Sequence, residues 1–122
     1  ETFSLAVSNQ QKGNLHEAQN LYNRILEVNP KHVDTLYNLA IISNKLGKYE
    51  KAIASLLKII AADNQGFLTD TVYFMIAETY YTELKDTTKA QKYYQKIIFE
   101  YPGSIYVVDA RKKYRAVRGD KR

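Results

Sequence analysis

The sequence contains no cysteine, which excludes a disulfide framework and any thiolate metal site but leaves either redox compartment open. It has no uninterrupted run of about 18 apolar residues, so no segment is long enough to span a bilayer as a helix. No secretory leader pattern is visible. The chain starts at Glu1, without a methionine and already inside a helical pattern, and is expected to be a piece of a longer or processed protein. Histidine is scarce. His16 falls at a helix start and His32 in a loop, and neither has Cys, Asp or Glu at metal-ligand spacing. The five glycines are scattered as turn residues and form no phosphate-cradling loop. Serines and carboxylates make no nucleophile–base arrangement. These absences argue against an enzyme and point to no cofactor and no metal.

What is present is helical periodicity. The 122 residues, 45% of them hydrophobic, suffice for one domain. Residues 33–64 read as two amphipathic helices around Gly47. Leu36, Leu39, Ala40 and Ser43 share one face of the first, and Ala52, Ile53, Leu56, Ile59 and Ile60 form the stripe of the second. Neither helix is stable alone, because a short helix gains most of its stability from packing. The pattern recurs. Ala18, Ala52 and Ala90 each precede a large residue by four (Tyr22, Leu56, Tyr94) and an isoleucine by seven (Ile25, Ile59, Ile97); the copies are spaced by 34 and 38 residues.

In chain order, a first helix is expected over residues 2–12 with Leu5 and Ala6 inward, stopping at Gly13. Asn14 with Glu17 reads as a helix-start box, the Asn capping and the Glu reaching back. The second helix runs to Val28 and ends at Asn29 and Pro30, since proline disfavours helical geometry in the residue before it. Asp63, Asn64, Gln65 and Gly66 are turn chemistry. Four extra residues, 67–70, close to one helical turn, let the next helix start early, giving a longer helix over 68–84. Its partner spans 88–101, closed by Pro102 and Gly103. Ser104 then opens a seventh helix, 105–117, with no partner of its own.

The net charge of +5 is local. Residues 111–122 hold seven basic residues and one acid, whereas residues 1–110 hold 11 basic and 12 acidic ones. An arginine stripe (Arg111, Arg115, Arg118, Arg122) suits phosphates or acidic partners. The alternative is a solvated last helix whose cations match the negative end of its dipole. No aromatic interleaving accompanies the charge, which makes nucleic acid the weaker reading.

With these copies in phase, the chain resembles the tetratricopeptide repeat family, whose 34-residue unit carries Leu-Gly-x2-Tyr, then Ala-x3-Phe, then Pro. Leu39, Ala40 and Ser43, then Ala52 and Leu56, match in the middle copy; Pro30 and Pro102 close the outer copies, and Asn64 stands in the second. Ala77, Glu78 and Tyr81 match in the third, where Glu78 is bulkier than the usual small residue and the packing must differ. Lys85 replaces the turn glycine and Asp86 is expected to cap. Tyr22, Tyr49, Tyr81 and Tyr94 fall where the family places aromatic packing residues. The last stretch, through YPGS and IYVVDARKKY, resembles tetratricopeptide modules of bacterial cell-envelope proteins, which leaves periplasm and cytoplasm both open.

The resemblance implies an all-α fold: a right-handed α-α superhelix of three helix-turn-helix repeats (1–32, 33–66, 67–104), a capping helix (105–118) and a basic tail (119–122). It implies a noncatalytic scaffold whose first helices line a concave groove for a peptide or helix with apolar anchors. The groove residues by phase are Phe3, Val7 and Gln10, then Asp34, Tyr37, Asn38, Ile41 and Asn44, then Val72, Met75, Ile76, Thr79 and Thr82. The family members that grip a chaperone's C-terminal carboxylate would place their clamp at Phe3, Val7, Asn38, Val72 and Ile76. Only Asn38 matches, so that ligand is excluded. Self-assembly through Phe3, Leu5 and the last helix is the alternative.

Overall fold

A computed structural model describes residues 1–62, 66 and 68–119. The predicted turn residues Asp63, Asn64 and Gln65 lie outside these, as does Arg122 of the basic stripe. Among the described residues there are helices and no strands, and no helix is long and apolar enough to cross a membrane. The fold is an all-α helical repeat. The chain divides into two compact units, residues 1–62 and 63–122.

The first unit holds α1 (Thr2–Gln11), α2 (Leu15–Val28), α3 (Val33–Lys45) and α4 (Tyr49–Ala62). α1 and α3 have side-chain caps at their starts. Glu1 accepts from the Ser4 N–H at 3.4 Å, and His32 Nδ1 accepts from the Thr35 N–H at 3.3 Å, filling orphan donors of the first turns. Asn14 sits at the start of α2 but does not cap it. Its amide donates instead to Asn9 Oδ1 of α1 at 3.3 Å, so the expected capping box is replaced by a side-chain link across the turn.

Ala6, Ala18, Leu21, Tyr22, Leu39 and Ile42 form one buried cluster, with Phe3, Val7 and Ile25 packed on it. Leu36, Ala40, Ala52, Ile53, Leu56 and Ile59 are also buried. Alanines at positions 6, 18, 40 and 52 are fully enclosed, because only a small side chain lets antiparallel helices approach at these crossings. Leu5, expected inward, is 53% exposed: the stripe of α1 runs through Phe3, Ala6, Val7 and Gln10, and Leu5 falls outside it.

The turns show why glycine recurs. Gly13 and Gly47 have φ of +85° and +76°, and Lys85, in the equivalent turn of the third copy, has φ +55°. An L-residue is strained there. Gly47→Ala is therefore expected to cost about 1 kcal/mol despite open space around the position, whereas Lys85→Gly should be neutral or stabilising. Denaturant titration of both variants checks this; equal destabilisation by both would contradict it.

The second unit holds α5 (Thr69–Glu78), α6 (Thr87–Glu100) and α7 (Val107–Arg118). The single α-helix expected over 68–84 changes character: beyond Glu78 it widens into a π-helical turn, Thr79–Glu83. The Thr79 hydroxyl donates to the Met75 carbonyl at 2.8 Å and the Thr82 hydroxyl to the Glu78 carbonyl at 2.7 Å, competing with the backbone for the i−4 acceptors. Asp86 caps α6 as expected, accepting from the Lys89 N–H at 3.1 Å.

α7 begins two residues later than expected, and it packs on α6. Ser104 receives the Tyr106 N–H at 3.0 Å and donates to Asp70 Oδ2 at 2.6 Å, pinning the entry to α7 onto the first turn of α5. Tyr106 stacks on Phe74 at 4.7 Å. Glu78 occupies the place held by Ala6 and Ala40 in the other copies. Its carboxylate accepts from the buried Tyr94 hydroxyl at 2.5 Å and from Lys113 Nζ of α7, 2.8 Å from both oxygens. A small-residue crossing has become an ionic one. Burial first, and then the Glu78 hydrogen bond and charge, push the Tyr94 hydroxyl far above the usual tyrosine range.

Candidate partner-binding surface

In the first unit, Asp34, Tyr37, Asn38, Ile41 and Asn44 follow one another at steps of three, one, three and three along α3, which sets them on one face. Asp34 is exposed, and Tyr37, Asn38, Ile41 and Asn44 are half-buried. Phe3, Val7 and Gln10 form the equivalent stripe on α1 and are also half-buried. Phe3 leans on the Tyr22 ring at 5.9 Å and, edge-on, on His32 at 5.5 Å.

The two stripes are tied together by hydrogen bonds through α2. Asn38 Nδ2 donates to the Tyr22 hydroxyl at 3.0 Å, and that hydroxyl donates to Gln10 Oε1 at 2.6 Å. Burial raises the Tyr22 hydroxyl above its ordinary range, and the Asn38 contact opposes the shift. Tyr22 was expected only as packing; its polar tip is what fixes Gln10 and Asn38. The signal is in the copies themselves, since the second carries Leu56 where the first carries Tyr22, so a hydroxyl is not needed for packing. The resulting surface offers apolar side chains from two helices, Phe3 and Val7 on one and Tyr37 and Ile41 on the other. Asn44 contributes less than expected. Its Oδ1 is buried and accepts no hydrogen bond among the described residues.

In the second unit the expected site residues separate. Met75 is half-buried on α5. Val72 and Ile76 are fully enclosed and Thr79 is 6% exposed, with its hydroxyl spent on the Met75 carbonyl. Val72, Ile76 and Thr79 are therefore enclosed residues, not surface ones. Among the described residues, no three His, Asp or Glu side chains gather as a metal site would require.

Tetratricopeptide repeat models match residues 3–67 and residues 71–104. The chain belongs to the tetratricopeptide repeat family. The copies at 34- and 38-residue spacing are its repeats, and the alanines at 6, 18, 40 and 52 are its small crossing positions. No curated protein matches the sequence. Among solved structures, a tetratricopeptide repeat protein from Parabacteroides merdae is similar at 20% identity and a TM-score of 0.81, over 98% of this chain and 45% of that one. This chain thus spans less than half the length of that protein. The type III secretion chaperone SycD of Yersinia enterocolitica, in complex with a peptide of the translocator YopD, is similar at 17% identity and a TM-score of 0.75, over 96% of this chain and 89% of that one. The first tetratricopeptide repeat domain of Spaghetti (RPAP3), bound to an HSP90 peptide, is similar at 16% identity and a TM-score of 0.72, over 96% of this chain and 87% of that one. At such identities the likeness is one of fold.

Proposed function

We propose that the chain is a noncatalytic protein-interaction module, and that the α1–α3 face of its first unit receives a hydrophobic or amphipathic segment of a partner protein. The observation that carries this reading is the pair of half-buried apolar stripes, Phe3 with Val7 and Tyr37 with Ile41, joined through the Gln10–Tyr22–Asn38 hydrogen bonds. Gln10, Tyr22 and Asn38 brace one another beneath this surface, and it has apolar area left to bury against an incoming side chain. Two proteins of similar fold carry peptides of other proteins, one from YopD and one from HSP90. The second ligand is not carried over. Phe3, Val7, Val72 and Ile76 offer no donor for a chaperone-tail carboxylate.

The test is a peptide library displayed on phage and selected on the chain, with the binders measured against Ile41→Glu. A charge on a half-buried position of the face is expected to weaken binding by about tenfold or more. Circular dichroism shows whether the variant keeps its helices. A folded Ile41→Glu that binds every selected peptide as the unmodified chain does would refute the reading. Light scattering over about a hundredfold concentration range distinguishes it from self-assembly, in which size grows with concentration.

A further inference from the structure

The second unit has a surface of another kind on the outer side of the α6–α7 pair. Tyr93, Tyr94 and Ile97 turn one side of α6 into the core, so Phe99, on the opposite side, stands in solvent at 73% exposure, with Lys92 and Lys96 on the preceding turns. Together with Gln95 and Glu100 these side chains line an open concavity of about 340 Å³. The Gln95 amide donates to the Tyr114 hydroxyl at 3.3 Å, which brings this side of α6 up to α7. One turn to either side of Tyr114 along the outer face of α7 lie Arg111 and Arg118, and beside them Arg115 and Val108, the latter 69% exposed. Among the described residues, Arg111, Lys112 and Arg115 have no ion-pair partner. Lys92 lies over the Tyr93 ring and Lys96 over the Tyr73 ring, each at 5.5 Å, and Lys96 also pairs with Glu100 at 3.6 Å, which leaves Lys92 and the arginines as the open cations.

From this arrangement we infer that the α6–α7 face is a second docking surface, fitted to an acidic amphipathic segment of another protein, whose apolar anchors meet Phe99 and Val108 while its carboxylates meet the cations around them. Charge decides between occupants. A second copy of the chain is net positive in both units, since residues 1–62 hold seven basic and five acidic residues and the remainder eleven and eight, so its charge does not complement this face and two such faces repel. Nucleic acid would use the cations and could stack one base on Phe99, but Tyr73 and Tyr93, beneath the lysines, are too buried to extend the stack, and aliphatic Val108 gives nothing to a phosphate backbone. An anionic bilayer is negative over its whole surface and would set Glu100 against its headgroups. A peptide can lay apolar side chains on Phe99 and Val108 and place its acids beside the arginines and Lys92, away from Glu100.

The test measures anisotropy of a fluorescein-labelled helical peptide with a leucine stripe flanked on both sides by glutamates, titrated with the whole chain. Three further probes accompany it: the same peptide with serine in place of leucine, an oligothymidine, and phosphatidylserine vesicles. The leucine peptide is expected to bind most tightly. Its affinity should fall about tenfold or more in Arg111→Glu/Arg115→Glu, and about fivefold in Phe99→Ser, while Ile41→Glu leaves it unchanged. That last result separates this surface from the α1–α3 face. If the double variant loses helix by circular dichroism, Lys92→Gln/Lys96→Gln reads the same surface and should weaken binding likewise. The inference is overturned if the serine peptide binds as well as the leucine one, if oligothymidine or vesicles bind more tightly than the peptide, or if folded charge variants bind it undiminished.

Discussion

Tyr94→Ala is expected to lower the stability of the second unit by about 3–5 kcal/mol, the range for emptying a buried aromatic site. Tyr94 has no exposed surface, and Phe74 and Tyr81 pack edge-on against its ring at 6.1 and 6.4 Å. Truncation therefore removes both contacts and also leaves Glu78 without one of its two partners. Tyr94→Phe isolates the second part. The ring stays, Glu78 keeps Lys113, and the loss should be only about 1 kcal/mol. Glu78→Ala falls between them at about 1–3 kcal/mol, because it strands the Tyr94 hydroxyl in the interior without an acceptor. With no tryptophan in the chain, near-ultraviolet circular dichroism reports on the tyrosines directly, and the denaturant midpoint can be followed through it. A Tyr94→Ala variant no less stable than Tyr94→Phe would show that packing around the ring contributes little.

Tyr94, set beside Tyr22, shows where reading the sequence stops. Tyr22 and Tyr94 hold equivalent repeat positions and both are fully buried, so pattern alone treats them as one packing residue used twice. In the structure they do different things. Tyr22 passes a hydrogen bond from Asn38 to Gln10, whereas Tyr94 donates to a carboxylate that also holds Lys113. Periodicity reports which face of a helix is buried, because burial is set by the helical repeat. It does not report what a polar tip meets, because that partner comes from another helix. Hence the turns at Gly13 and Gly47, the buried alanines and the stop at Val28 were legible, and the stop before Pro102 was legible to within one residue, while the Ser104–Asp70 clip and the π-helical turn after Glu78 were not. Asn14 was misread for the same reason: its amide found Asn9 on the neighbouring helix before it found the start of its own. For the binding face, the phase argument placed Tyr37, Asn38 and Ile41 on one side of α3. It went wrong at Val72, Ile76 and Thr79, which are enclosed although Asp34, Asn38 and Ile41 at the equivalent positions are exposed or half-buried.

Raising the pH is expected to destabilise the chain from about pH 10 upward, the ordinary tyrosine pKa. The hydroxyls of Tyr22, Tyr73, Tyr93 and Tyr94 are all shifted upward, in every case first by burial; Glu100 adds to the shift at Tyr73, and Tyr80 adds to it at Tyr93 against the opposing pull of Lys89. Below the unfolded pKa both states keep these protons, so the stability is fully present. Above it the unfolded chain releases protons that the folded chain retains, and each such tyrosine removes about 1.4 kcal/mol per pH unit until its folded pKa is reached. The contribution of Tyr94 can be separated from that of the other three tyrosines. Tyr94→Phe starts from a lower denaturant midpoint at neutral pH, but it lacks the proton with the largest upward shift, so its midpoint should fall less steeply above pH 10. The two curves then converge. Parallel curves for the unmodified chain and Tyr94→Phe would mean that the Tyr94 hydroxyl ionises as easily folded as unfolded, which its enclosure beside a carboxylate does not allow.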